Sequence, residues 1–249
     1  NGMKHWTWQT VMGLLMLGAV ALLSWKAGTF AASGTLAVSS GKGGVGSLRS
    51  AVVIDAGHGG RDPGKVGIEG QLEKDINLAI ALRLKEYLEA SDVDVILTRE
   101  DDNGLYPEGE RNKKMSDMKK RCQIIEKAAP DLVVSIHQNS YHEESVSGGQ
   151  VFYYKNSQKG KTLAEILQKR FNYVLGEKNS RQAKANGNYY LLLHVKPPIA
   201  IVECGFLSNR AEAAKLQDEV YQDRMAWTVH MGIMEFLNRE VLQDKQTKG

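Results

Sequence analysis

From Ala51 onward, short apolar runs alternate with longer segments whose apolar residues recur at helical spacing. The runs Ala51–Asp55, Val93–Thr98, Leu132–His137, Gln150–Tyr154, Tyr189–Leu193 and Ile199–Glu203 predict strands. Helical patterns fill the intervals, over about 73–89, 112–128, 161–175, 209–216 and 219–237. In the first of these, Ile76, Ile80, Leu84 and Tyr87/Leu88 form one apolar face, with Lys74, Arg83, Lys85 and Glu86 elsewhere. Val220, Trp227, Met231 and Met234 keep helical spacing in the last. Such alternation predicts a single α/β domain over about 51–240. Its sheet has about six strands, mixed or mostly parallel, with helices on both faces. Residues 241–249 read as a polar tail.

The segment before this domain changes the picture of where the protein works. Val11 to Leu23 is apolar throughout except for Gly13 and Gly18. Lys4 and His5 precede it, and the small residues Ala31-Ala32-Ser33 follow. Thirteen residues suit a signal-peptide core better than a membrane span, which takes about 20. Trp6, Trp8 and Trp25 leave an uncleaved anchor open. Residues 1–32 are therefore read as a signal peptide or N-terminal membrane anchor, with any membrane contact made through that segment alone. The Gly- and Ser-rich stretch 33–50 reads as a flexible linker. Lys42-Gly43-Gly44-Val45-Gly46 imitates a phosphate loop, but Ser47 stands where the lysine should follow, and the motif precedes the first strand instead of following one.

The net charge is +3, and Lys4 and Lys26 of the leader account for two of those charges, leaving +1 for the rest. No basic run with interleaved aromatics occurs, which excludes a nucleic-acid footprint. Cys122 and Cys204 are the only cysteines and carry no metal-binding spacing; a bridge between them is not decided by sequence.

Candidate chemistry gathers at strand ends. Asp55-Ala56-Gly57-His58-Gly59-Gly60 closes the first strand and Ser135-Ile136-His137-Gln138-Asn139 the third. Both histidines thus fall at carboxyl ends, where open α/β sheets collect ligands. Two imidazoles meeting at one point suit zinc. Glu73 opens a helix 15 residues after His58 and can project toward the same edge. Taken alone, it is equally an acid favoured by a helix N-terminus. Glu203 ends an apolar strand, where an unpartnered carboxylate is costly and its pKa is pushed upward. His142, His194 and His230 read as surface or structural histidines, and Cys204 as a small buried hydrophobe rather than a thiol nucleophile.

Taken together, Ile54–Gly60, Leu72–Asp75, Thr98-Arg99, Ser135–Asn139 and Glu203–Asn209 resemble the zinc N-acetylmuramoyl-L-alanine amidases of the Amidase_3 type. The resemblance covers about Ala51 to Leu237. Leu105–Gly109 and Lys184–Lys196 are most similar to its germination-specific, spore-cortex subgroup. The resemblance implies one zinc per chain held by His58, Glu73 and His137, with Glu203 as catalytic acid/base. It also implies peptidoglycan as substrate and export beyond the cytoplasmic membrane, to the forespore intermembrane space or the wall. In the clostridial subgroup it further implies a lipoprotein partner of the GerS type. Asn139 and Arg99 are candidates for orienting substrate. An inactive wall-binding module, or a zinc peptidase or deacetylase, remain the alternatives.

Overall fold

The computed structural model describes residues 49–176 and 179–247. The leader, most of the linker and the phosphate-loop imitation lie outside them. Six strands form one sheet: β1 (Ala51–Ala56), β2 (Asp94–Leu97), β3 (Leu132–Asn139), β4 (Gln150–Tyr154), β5 (Lys184–Asn186) and β6 (Ile199–Phe206). Their spatial order is β2-β1-β3-β6-β4-β5. The β2, β1, β3 and β6 pairings are parallel, β4 runs antiparallel to β6, and β5 is parallel to β4. A parallel centre needs helical crossovers; α1 (Glu73–Glu89), α2 (Lys113–Ala128), α3 (Gln158–Leu175) and α4 (Tyr190–His194) lie between strands, and α5 (Arg210–Gln217) and α6 (Glu219–Thr247) follow β6.

Strand alternation divides the core in two. Val52, Ile54 and Ala56 of β1, with Val134 and Val202 beside them, pack under α1, α3 and α6. Val53, Val133 and Ile201 face the other way, toward Ile125 of α2 and Leu191 and Leu192 of α4. With both faces covered, β1, β3 and β6 are buried almost end to end, as parallel strands require. The two cysteines fall on opposite sides of this division and are unbridged.

Helix starts follow local chemistry. The side chains of Asn112, Ser157 and Asn209 accept hydrogen bonds from the amides of Met115, Gly160 and Glu212 and cap α2, α3 and α5. α1 lacks a side-chain cap, but Glu73 and Asp75 occupy its first turn.

One strand lies elsewhere than the pattern predicts. Tyr189–Leu193 is not a strand: residues 190–194 form the short helix α4, and the fifth strand is Lys184–Asn186. The Asn186 side chain accepts from the amides of Asn188 and Tyr189 and turns the chain. Leu191 and Leu192 are then adjacent buried residues, a pattern a one-face strand cannot produce. The last helix also differs. It runs ten residues past Leu237, into the stretch read as a tail. Its buried face is Met225, Ala226, Val229, Ile233 and Phe236, whereas Val220 is 71% and Trp227 46% exposed. Two apolar stripes at helical spacing coexist there, and packing against α1 and α3 selects one. Among the described residues no helix is long and apolar enough to cross a membrane.

Candidate metal centre

β1 ends at Ala56, and the chain leaves it through Gly57 and a turn in which His58, Gly59 and Gly60 all have positive φ. His58, at +62°, is a non-glycine residue in the left-handed region, a conformation costing roughly 1–2 kcal/mol. Such strain persists where surrounding contacts enforce it. Arg121 of α2 enforces it here by donating to the His58 carbonyl at 2.5 Å. Gly57 must be glycine for a different reason: a Cβ there would overlap the His137 ring.

His58, Glu73 and His137 meet at this edge, their ligand-capable atoms all within 4.8 Å of one another. Glu73 Oε1 lies 3.2 Å from His58 Nε2 and 2.9 Å from His137 Nδ1. The imidazoles stand nearly perpendicular, with centroids 5.0 Å apart. Glu73 is 2% exposed, and its carboxylate also accepts from the backbone amides of Gln138 at 3.1 Å and Lys65 at 2.8 Å. Burial alone would raise its pKa. The hydrogen bonds and charges of His137 and His58 overcome that and hold it well below the usual carboxylate range. His58 is oriented from behind by Asp62, whose carboxylate is 3.0 Å from Nδ1. Two imidazole nitrogens and one ionised carboxylate converge, with His58 held from behind by Asp62 and Glu73 by the Lys65 amide, and form a donor set suited to a divalent metal ion.

Glu203 pairs in register with His137 across β3 and β6. It is buried, and its Oε2 has no hydrogen-bond partner. Burial pushes its carboxyl up to about 7, with Glu73 reinforcing the shift and the two histidines opposing it. The neighbouring Cys204 points to the opposite core, and burial pushes its thiol up to about 12. It offers no thiolate.

Beside this centre, at Ser135 of β3, two residues before His137, and Asp55 of β1, three before His58, lies a second buried polar cluster. Asp55 accepts from Arg121 at 2.6 Å, Ser135 at 2.6 Å and Thr98 at 2.7 Å. Arg121 also reaches Asp117 and the Ala56 carbonyl. Arg99, read from sequence as a candidate for orienting substrate, is buried and donates to the carbonyls of Ala56, Gly57, Lys74 and Asp101. With its donors so engaged it holds the His58 turn in place. Asn139 uses its side-chain oxygen on the Ser140 amide. Sequence reading missed Asp62, Arg121 and Asn77, whose amide donates to the Gly57 carbonyl at 3.1 Å and to Glu73 Oε1 at 3.4 Å. The histidine–acid spacing of four from His58 to Asp62 was the available signal for the first. The remaining histidines among the described residues lie apart from the centre: His142 is exposed, His194 stacks on Tyr190, and His230 is packed between Tyr87 and Trp227.

A cavity of about 360 Å³ adjoins the centre and the Asp55–Arg121 cluster. His58 and His137 line it, together with one face of α2 and the segment Tyr189, Tyr190 and Leu191.

The family model for N-acetylmuramoyl-L-alanine amidase matches residues 52–235. The germination-specific N-acetylmuramoyl-L-alanine amidase of Bacillus subtilis is 36% identical over 192 residues, 76% of this chain and 80% of that protein. The CwlD amidase from Clostridioides difficile, solved in complex with the GerS lipoprotein, is 40% identical with a TM-score of 0.74, over 76% of this chain and 99% of that one. The catalytic domain of CwlV from Bacillus (Paenibacillus) polymyxa var. colistinus is 33% identical with a TM-score of 0.66, over 76% and 98%.

Proposed function

The chain belongs to the N-acetylmuramoyl-L-alanine amidase family, and we propose that it cleaves the amide between muramic acid and L-alanine with a zinc ion held by His58, Glu73 and His137. The observation that carries this reading is the convergence of those three side chains beside a buried carboxylate with an unpartnered oxygen. Zinc favours this nitrogen and oxygen donor set; bound there, it supplies a Lewis acid that polarises the amide carbonyl and acidifies water.

The protein's own groups supply the rest. Asp62 accepts from His58 Nδ1 and leaves Nε2 directed at the centre. Glu73 stays ionised because its oxygens are surrounded by donors. Glu203, with a free oxygen and a pKa near neutrality, takes a proton from the attacking water as the C–O bond forms. It returns that proton to the amide nitrogen as the C–N bond breaks, so L-alanine departs as a neutral amine. Tyr189 flanks the cavity with its hydroxyl pushed up to about 12 by burial and then by Glu203 and Glu73, so it stays protonated and keeps its O–H to donate.

The germination-specific relative and the CwlD neighbour support a role in spore cortex, where this cleavage precedes formation of muramic δ-lactam. The cell-wall substrate supports a location outside the cytoplasmic membrane. The GerS complex of the neighbour supports a lipoprotein partner of that type for this chain.

Incubating the zinc-loaded chain with cortex peptidoglycan and identifying products by mass spectrometry tests the reading. It predicts intact stem peptides with a free L-alanine amine, lost on chelation and in His137→Ala. Shortened peptides would identify a peptidase, and acetate a deacetylase.

A further inference from the structure

The two walls of the cavity differ in charge. On α2, the residues Lys113, Lys114, Asp117, Met118 and Arg121 fall on one helical face and line it, with Arg61 at the rim. The wall formed by Tyr189 to Leu191 carries no charged side chain.

Not all of the basic wall is neutralised. Arg121 is engaged by Asp55 and Asp117, and Asp117 also accepts the Leu105 amide. Asp62 is committed to His58 and the Gly64 amide, and reaches Lys114 only at 3.8 Å. Arg61 and Lys113 have no ion pair among the described residues, and Lys113 lies over the face of the Tyr106 ring, 5.5 Å to its centroid. Lys113 and Lys114 also occupy the first turn of α2, which holds no acid, against the preference of the helix dipole. A local rule broken at the mouth of a reactive cavity, offset by no more than the 3.8 Å Asp62–Lys114 pair, marks a place where charge serves a ligand.

We infer that the α2 wall is the subsite for free carboxylates of the substrate peptide, held by Arg61, Lys113 and Lys114, while the scissile amide lies beside His58 and His137. This rests on the amidase reading and adds to it a preference for an acidic peptide. The charges are solvent-facing, so they act through partly screened attraction and the preference weakens with salt.

The zinc-loaded full chain is titrated by calorimetry with a muramoyl tripeptide bearing free carboxylates, and with the same compound converted to carboxamides. Turnover of each is followed in parallel. Wild type is expected to favour the acidic compound by about tenfold or more in Kd at low salt, less at 0.5 M salt. Arg61→Gln/Lys113→Gln/Lys114→Gln is expected to remove the preference while still binding the carboxamide, which also reports that it is folded. Lys114→Gln alone should remove part of it. Equal affinity of wild type for both compounds, or a preference that survives the triple variant, overturns the subsite. If neither compound is cleaved but the affinity difference is present, the amidase reading fails and the anionic subsite stands.

Discussion

Asp55 and Glu203 are buried acids on one face of one sheet, two residues apart in strand register, and their surroundings drive them in opposite directions. Asp55 is penalised by burial, but the Arg121 charge and the Ser135 hydroxyl more than compensate and bring its pKa down to about 2. Glu203 suffers the same burial with a free Oε2, and its pKa rises to about 7. Burial alone therefore does not make an acid reactive; what separates the two is whether donors occupy its oxygens, as at Asp55, or leave one free, as at Glu203. The Asp55 cluster ties β1, β3 and α2 together and supports the His58 carbonyl. The Glu203 one keeps an oxygen free for a proton.

Removing an acid from each cluster separates the two roles. Asp55→Ala strands Arg121 in the core with Asp117 as its remaining charge, and should cost roughly 3–5 kcal/mol in denaturant unfolding. A loss under 1 kcal/mol would mean the Asp55 cluster is dispensable.

The pH dependence of stability should carry opposite slopes from the two acids in the metal-free chain. Glu203 has its folded pKa raised from 4.5 to about 7, so the protein is most favoured below pH 4.5 at this site. It loses roughly 3 kcal/mol as pH rises through 7. Glu203→Gln should flatten that alkaline loss. Asp55 has its folded pKa lowered from 3.8 to about 2. Its contribution is present above pH 4 and falls by roughly 2 kcal/mol as pH drops through 2. Denaturant midpoints of wild type and Glu203→Gln across pH 4–8 would show the two curves diverging; parallel curves would contradict the assignment.

The smallest change is one methyl. Gly57→Ala puts a Cβ into the His137 ring, and should lower zinc affinity by about 10- to 100-fold in a chelator competition with little change in the unfolding midpoint of the metal-free chain. Unaltered affinity would show that the turn has slack.

Much of this was legible in the sequence because it depended on local pattern. His58 and His137 were placed by apolar runs that stop at them, and Glu203 by a charge closing an apolar strand. Helix 73–89 was bounded correctly because a single apolar face recurs without competition. The same charge-in-a-strand argument applies to Asp55, yet its partner Arg121 sits 66 residues away in a helix dense with lysines, where nothing local distinguishes a buried arginine from a solvated one. The strand at 184–186 has three residues and no apolar signature, while the Tyr-Leu-Leu-Leu run beside it carries strand-like composition. Turn chemistry at Asn186 settles that conflict. In α6, two stripes satisfy the helical period, and only tertiary packing decides between them.

The most direct measurement is Glu203→Gln loaded with zinc, scored for metal content and for amide cleavage in the same sample. With a free carboxylate oxygen as the proton carrier, the account predicts one zinc per chain and a rate lower by about 10²–10⁴. Full metal with an unchanged rate would remove Glu203 from the chemistry.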